Sequence, residues 1–276
     1  MTAKRSADSL THGLCALALA LSSQVALATP QWEINPEGTG LGGASTVATL
    51  NVGGVGFVQI VPDANGGSAF SFVEHGAYQV LKPDMLTPFG ATDLTVSYSI
   101  SGIGNSLDPL GLHFTSGRID LYADPRFDFA TAAVHYGVDN GTRIAAFDVF
   151  DGGMTGSGLV TVNAKIVTNS LLAGYFFGAD GSDLAGNDDV LMQLGIFNQP
   201  TIPDSLLISG VVCGIAAYPG PGCDGTPFTS SPLAFTVRDG GFATLSSVPE
   251  PATLSLLLVG VGLIGGTRKR RRSAAR

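Results

Sequence analysis

The chain has 276 residues, with 14 Lys+Arg against 22 Asp+Glu, a formal net charge of −8 and a 45% hydrophobic content. A surface with this excess of carboxylates repels nucleic acid and anionic lipid, so nucleic acid is not expected as a partner. The charge is also unevenly placed, because eight of the 14 basic residues lie before residue 29 or after residue 247.

Residues 1–28 read as a secretory signal peptide. Lys4 and Arg5 form a basic start, residues 14–21 are apolar, and Ala26-Leu27-Ala28 is an A-x-A cleavage site with Ala26 and Ala28 as its small residues. Cys15 lies early in the apolar stretch and is expected to leave with the signal. Once both ends are removed, Lys82, Arg118, Arg126, Arg143, Lys165 and Arg238 are the six remaining cations. All Asp and Glu except Asp8 stay with the body and the residues just after it, so the exported charge is about −15. Such a surface stays soluble and attracts divalent cations.

Residues 29–246 form one body with no internal boundary. No long 3.6-residue apolar stripe occurs in it, and alternation with period two recurs instead. Leu94, Val96, Tyr98 and Ile100 alternate with Thr95, Ser97 and Ser99. Val160, Val162, Ala164 and Ile166 alternate with Thr161, Asn163 and Lys165. Further strands are predicted at 57–61, 69–80, 119–122, 144–150, 190–196 and 233–237. Asp139-Asn140-Gly141 has the composition of a tight hairpin turn. Residues 38–43 read as a flexible entry segment, and 200–204 and 217–232 as long surface loops. Recurrent strands with glycine-rich turns predict an all-β chain, a single antiparallel β-sandwich or jelly roll.

Chemistry is sparse in this body. There is no G-x-S-x-G, no H-E-x-x-H and no P-loop. Residues 38–43 match G-x-G-x-x-G literally, but no strand precedes them and no helix follows. Glu74 and His75 are adjacent, so on a strand they face opposite sides and do not act together. His75, His113 and His135 read as structural histidines. The expectation is a protein that is not an enzyme and holds no cofactor, with calcium as the one exception weighed. Asp180, Asp183, Asp188 and Asp189 crowd one loop, and calcium takes six to eight oxygens from such segments. Asp180 is followed by Ser182 where an EF-hand carries Asp or Asn, and no glutamate closes the loop, so a solvated turn is the competing reading. Asp120, Asp124 and Asp128 form a second acidic group. Trp32, Tyr78, Tyr122, Tyr136 and Tyr175 are candidates for stacking on sugars, although strand aromatics are mostly core. Cys213 and Cys223 bracket a Pro/Gly loop, and in an oxidising compartment this isolated pair is expected to form a disulfide.

The last residues, 247–276, carry the strongest signal. Val248-Pro249-Glu250-Pro251 precedes an apolar run over 252–266, which ends in Arg268-Lys269-Arg270-Arg271-Arg272. A helix of that run is about 22 Å long, short of a roughly 30 Å hydrocarbon core, so it serves poorly as a permanent anchor. The basic cluster resists translocation and stays cytoplasmic, which puts the body outside. The two prolines hold the segment around Glu250 extended.

These residues resemble the PEP-CTERM sorting signal, in which a Pro-Glu-Pro motif, a short transmembrane helix and an Arg-rich end follow in that order. The resemblance implies cleavage near Pro249, Glu250 and Pro251 by an exosortase-type transpeptidase. It also implies a transient stay in the inner membrane and delivery to the surface or extracellular matrix of a Gram-negative bacterium. In the body, residues 70–79, 116–124 and 173–177 resemble segments of flocculation-associated PEP-CTERM proteins. That likeness implies a non-enzymatic role in flocculation or biofilm cohesion, with extracellular polysaccharide as partner. A carbohydrate-binding module with one defined sugar site is the alternative, and a secreted glycan hydrolase working through a carboxylate pair is a third.

Overall fold

The computed structural model describes residues 31–82, 87–88 and 90–247. Ala26 and Ala28, expected from the sequence at a signal-peptide cleavage site, the expected sorting residues Val248 to Pro251 and the basic cluster Arg268 to Arg272 lie outside the described residues. Within them the chain is mostly β, and the predicted sandwich is replaced by a closed barrel.

Eight antiparallel strands form the ring: β3 (Leu50–Pro62), β4 (Ala69–Leu81), β5 (Asp93–Asn105), β6 (Asp108–Asp124), β7 (Thr142–Met154), β8 (Val160–Ile166), β10 (Val190–Thr201) and β11 (Ala234–Ser247). Each pairs with the strand beside it, and β11 closes the ring on β3 through registers such as Val237↔Gly56 and Ala243↔Leu50. A sandwich and a barrel share the same inward–outward alternation, so period two cannot distinguish them. Closure depends on the β11–β3 pairing, which joins strands far apart in sequence.

Every strand of the ring overlaps one of the predicted segments. The inward positions are filled: Phe72, Leu94, Val96, Ile119, Phe147, Val162, Leu194 and Ala243 are all buried in one core. Eight strands enclose a space that side chains of this size just fill. The outward positions of β5, β6 and β8 are Ser97, Ser99, Arg118, Asp120, Asn163 and Lys165. A polar exterior around an apolar interior is the reverse of a lipid-facing barrel. Among the described residues, no helix is long and apolar enough to cross a membrane.

One end of the barrel is plugged. A three-stranded sheet of β1 (Trp32–Ile34), β2 (Ser45–Val47) and β9 (Phe176–Gly178) lies where β3 begins and β8 finishes. Its Trp32, Ile34, Val47 and Phe176 join the barrel core. These three strands are too short to show a period, and the sequence reading did not anticipate them.

One flank is covered as well. After β10, an α-helical turn (Ser205–Leu207), capped by Asp204 accepting from Leu207 N at 2.8 Å, runs into a π-helical stretch (Ile208–Ile215). Leu207, Val211 and Val212 pack onto outward-facing Val55, Phe57 and Ala77, forming a second core outside the ring. Gly210 permits the close approach, since a Cβ there would stand 2.7 Å from Tyr136 N. The disulfide Cys213–Cys223 is present, as expected from the sequence, and ties the cover to the loop that follows.

The hairpin expected at Asp139-Asn140-Gly141 is not formed. β6 and β7 do pair, but a long connection from Pro125 to Gly141 joins them and contains a 3-10 turn at His135–Gly137. Asn140 faces inward to the loop and donates through Nδ2 to both oxygens of Asp128, at 3.0 and 2.8 Å. The loop is then fastened to β5 by Thr95 Oγ1, which donates to the Val138 carbonyl at 2.6 Å.

Candidate functional site

The most unusual chemistry lies inside the barrel. Glu74 and Tyr78 on β4, Tyr98 on β5 and Asp239 on β11 all occupy inward positions and are all buried. Space for the two tyrosines comes from glycine. A Cβ at Gly56 on β3 would stand 2.7 Å from Tyr98 Oη, and one at Gly54 would stand 2.7 Å from the Tyr78 ring. The rings stack with centroids 4.7 Å apart.

Tyr98 Oη lies 3.0 Å from Glu74 Oε1 and 3.0 Å from Asp239 Oδ2. A phenol has one proton, so it donates to only one of these carboxyl groups. The other contact is a hydrogen bond only if that carboxyl carries a proton and donates to the phenol oxygen. Burial supplies this proton: it raises Glu74 to about 8, helped by the charge of Asp239 and opposed by Tyr98. Burial also raises Asp239 to about 7, opposed by Tyr98 and Tyr78. At neutral pH the arrangement is a relay in which Glu74 donates to Tyr98, and Tyr98 donates to the Asp239 carboxylate. The pair shares its titration rather than owning two separate ones. Desolvation likewise pushes both tyrosine hydroxyls well above their ordinary value.

Glu74 also borders a cavity of about 240 Å³ at the barrel end opposite the plug, lined by Val58, Phe72, Phe114, Met154, Val160 and Asn198 among others. The adjacent Glu74 and His75 do face opposite sides, as the strand geometry requires. His75 lines a second, polar groove of about 320 Å³ on the outer face of β4, β5 and β6. Ser97, Ser99, Arg118 and Asp120 form its floor, and His135 and Asp139 stand at its wall. Arg118 pairs with Asp120 at 3.1 Å and Asp148 at 2.9 Å, and His135 Nδ1 lies 2.6 Å from Asp139 Oδ2. Burial lowers the His75 pKa and favours its neutral form. Hydroxyls, carboxylates, a guanidinium and imidazoles together make a surface suited to a ligand with many hydroxyls.

The acidic loop is organised by local bonds. Asp180 accepts from Ser182 N and Oγ, Asp183 from Gly174 N and Ala185 N, and Asp188 from Asn169 N, while Asp189 lies 3.7 Å from Lys165 Nζ. Among the described residues no three His, Cys, Asp or Glu side chains gather as metal ligands. Asp120, Asp124 and Asp128 each have a local partner: Asp120 joins the arginine pairs, Asp124 is buried and accepts from Arg126 N, and Asp128 holds Asn140. Of the stacking candidates, Trp32, Tyr78 and Tyr136 are buried in the two cores and unavailable to a sugar, leaving Tyr122 and Tyr175 half-buried.

Sequence reasoning did not single out Tyr98 or Asp239 as polar partners of Glu74. The signal was present, because Glu74 shares the inward register of Phe70, Phe72, Tyr78 and Val80, and Asp239 that of Val237, Gly241 and Ala243. Charged residues on a core register demand a partner.

Comparison with known proteins speaks to the tail. Residues 247–272 match the PEP-CTERM protein-sorting motif. The motif supports an exosortase-processed surface protein, secreted with a transient C-terminal membrane anchor, and implies an exosortase as processing partner. No curated protein and no solved structure matches the chain. The motif begins at Ser247, the last residue of β11, so processing at Pro249, Glu250 or Pro251 leaves all eight barrel strands whole.

Proposed function

We propose that the barrel is a non-enzymatic component of the extracellular matrix of a Gram-negative bacterium, acting in flocculation or biofilm cohesion by holding exopolysaccharide at the cell surface. The observation that carries this reading is the sorting motif at 247–272, which fits a secreted protein with a transient C-terminal membrane anchor. The acidic, polar exterior and the hydroxyl-rich groove over Ser97, Ser99, Arg118 and Asp120 support it. The interior carboxyl pair gives little support to hydrolysis, because Glu74 and Asp239 are buried and tied to one phenol.

Replacement of Pro249, Glu250 and Pro251 by alanine tests the sorting part. The variant is expected to accumulate in the membrane fraction with its tail attached, and cells carrying it to lose aggregation. Unchanged surface delivery together with unchanged aggregation would sink the reading. The polar groove favours one variation, a carbohydrate-binding module with a defined site. Saturable binding of the exported protein to one glycan, lost in Arg118→Ala, distinguishes that module from a bulk matrix component.

A further inference from the structure

We infer that the groove on the outer face of β4, β5 and β6 selects uncharged polysaccharide and rejects chains that carry uronate or other anionic groups. This rests on the polysaccharide reading of the groove proposed above and adds the charge class of the ligand.

The cations at the groove are already matched. Arg118 Nε lies 3.1 Å from Asp120 Oδ1, and Arg118 Nη1 lies 2.9 Å from Asp148 Oδ1. Arg143 Nη1 lies 3.5 Å from the same Asp120 oxygen. His135 Nδ1 lies 2.6 Å from Asp139 Oδ2, and burial favours the neutral form of His75. Two guanidinium groups therefore face three carboxylates, and a charged His135 would only bring the two sides level. An anionic ligand meets no uncompensated positive charge here, and like charges set against each other exclude a wrong partner. The excess of carboxylates over the whole body repels such a ligand at longer range.

The groove instead offers hydrogen bonds to hydroxyls. Neither the Ser97 nor the Ser99 hydroxyl has a partner among the described residues, and neither is buried. The same holds for the second oxygens of two carboxylates, Asp120 Oδ2 and Asp139 Oδ1. Sugar hydroxyls donate to carboxylate oxygens, and they both donate to and accept from serine. Gly214 and Ile215, at the end of the helical cover, give the groove a less polar edge for the C–H face of a sugar ring. The wall is built at a cost. His135 and Tyr136 hold left-handed backbone, with φ of 45° and 59°. Such strain in residues with side chains persists where the surroundings enforce it, and it gathers at functional sites. Gly214 makes room for the imidazole, since a Cβ there would stand 3.0 Å from His135 Cδ2.

The test is titration of the exported, processed protein, with a chelator present to remove bridging cations. The probes are alginate, polygalacturonate, the same two polymers after reduction of their carboxyl groups, and dextran. Saturable binding of at least one uncharged polymer is expected, tighter than either acidic polymer by about ten-fold or more. Asp120→Asn combined with Asp139→Asn removes two carboxylates and leaves the guanidinium groups in excess. It is expected to weaken the uncharged polymer by about ten-fold and to let the acidic polymers bind. Thermal unfolding checks that the variant folds. If it does not, Asp148→Asn, at a side chain 66% exposed, tests the charge selection by the gain of acidic polymer alone. Acidic polymers bound as tightly as uncharged ones, a folded variant that still rejects them, or uncharged binding that survives the double variant would overturn this inference and leave the polysaccharide reading standing. Absence of binding to every polymer would overturn that reading, and this inference with it.

Discussion

Tyr98 shows how one hydroxyl can hold two carboxyl groups in a barrel interior. Both acids have folded pKa values above their ordinary values of 4.5 and 3.8, raised to about 8 for Glu74 and about 7 for Asp239. As pH rises past 4.5, the unfolded chain gives up protons that the folded chain keeps, so stability falls. The contribution is therefore full below about pH 4 and is lost as pH climbs to 8. The slope approaches about 1.4 kcal/mol per pH unit for each proton retained. Thermal unfolding is expected at a higher temperature at pH 5 than at pH 8, and Glu74→Gln to flatten that dependence by roughly half. A Glu74→Gln profile parallel to that of the unaltered protein would remove the relay from the account. Tyr98→Phe leaves both carboxyl groups without their shared partner and is expected to cost about 1–3 kcal/mol at pH 8, with a smaller loss at pH 5, where both are neutral.

At the scale of elements, the strands were legible and their cover was not. Val160–Ile166 was readable to the residue because its apolar and polar positions alternate without interruption, and every other barrel strand had a readable nucleus. Residues 205–215 hide for a physical reason. They carry no charged side chain and are apolar on nearly all sides, and much of the stretch winds as a π-helix, so a 3.6-residue stripe never develops. Asp139-Asn140-Gly141 misled because turn composition describes local preference. Here Asn140 is engaged by Asp128, and Thr95 holds the loop against β5. The cover has few ties to the ring beyond its apolar face and the aromatic contacts of Phe57 with Tyr218 and Phe228. Cys213–Cys223 closes a loop with a sequence separation of 10. Removing it by Cys213→Ala with Cys223→Ala is expected to cost about 2–3 kcal/mol on the chain-entropy account. Denaturant unfolding with and without reductant checks this, and the double variant should be indifferent to reductant.

For the whole molecule, closure was illegible because it rests on β11 meeting β3, a pairing between residues nearly two hundred positions apart that local periodicity does not encode. The candidate site depended on the same step, since Glu74 and Asp239 become neighbours only across that seam. The sorting motif of the tail, by contrast, was legible, because sorting is read from linear sequence. The seam also places the tail: β11 runs from Ala234 at the open mouth to Ser247 at the plugged end and passes straight into the sorting motif. The barrel's last hydrogen-bonded pair, Val190↔Ser247, precedes the Pro-Glu-Pro residues. Cleavage there removes the apolar run and Arg268 to Arg272 without breaking a barrel pair. The intact mass of the exported protein is therefore expected to end between Val248 and Ala252, allowing for any group the transpeptidase adds. Its unfolding temperature should equal that of the uncleaved Pro249, Glu250 and Pro251 alanine variant within about 2 °C, since a change outside the packed body shifts stability little. A mass that still includes the arginine cluster would show that the anchor is permanent. A large drop in unfolding temperature on cleavage would show that β11 needs the tail to close the ring.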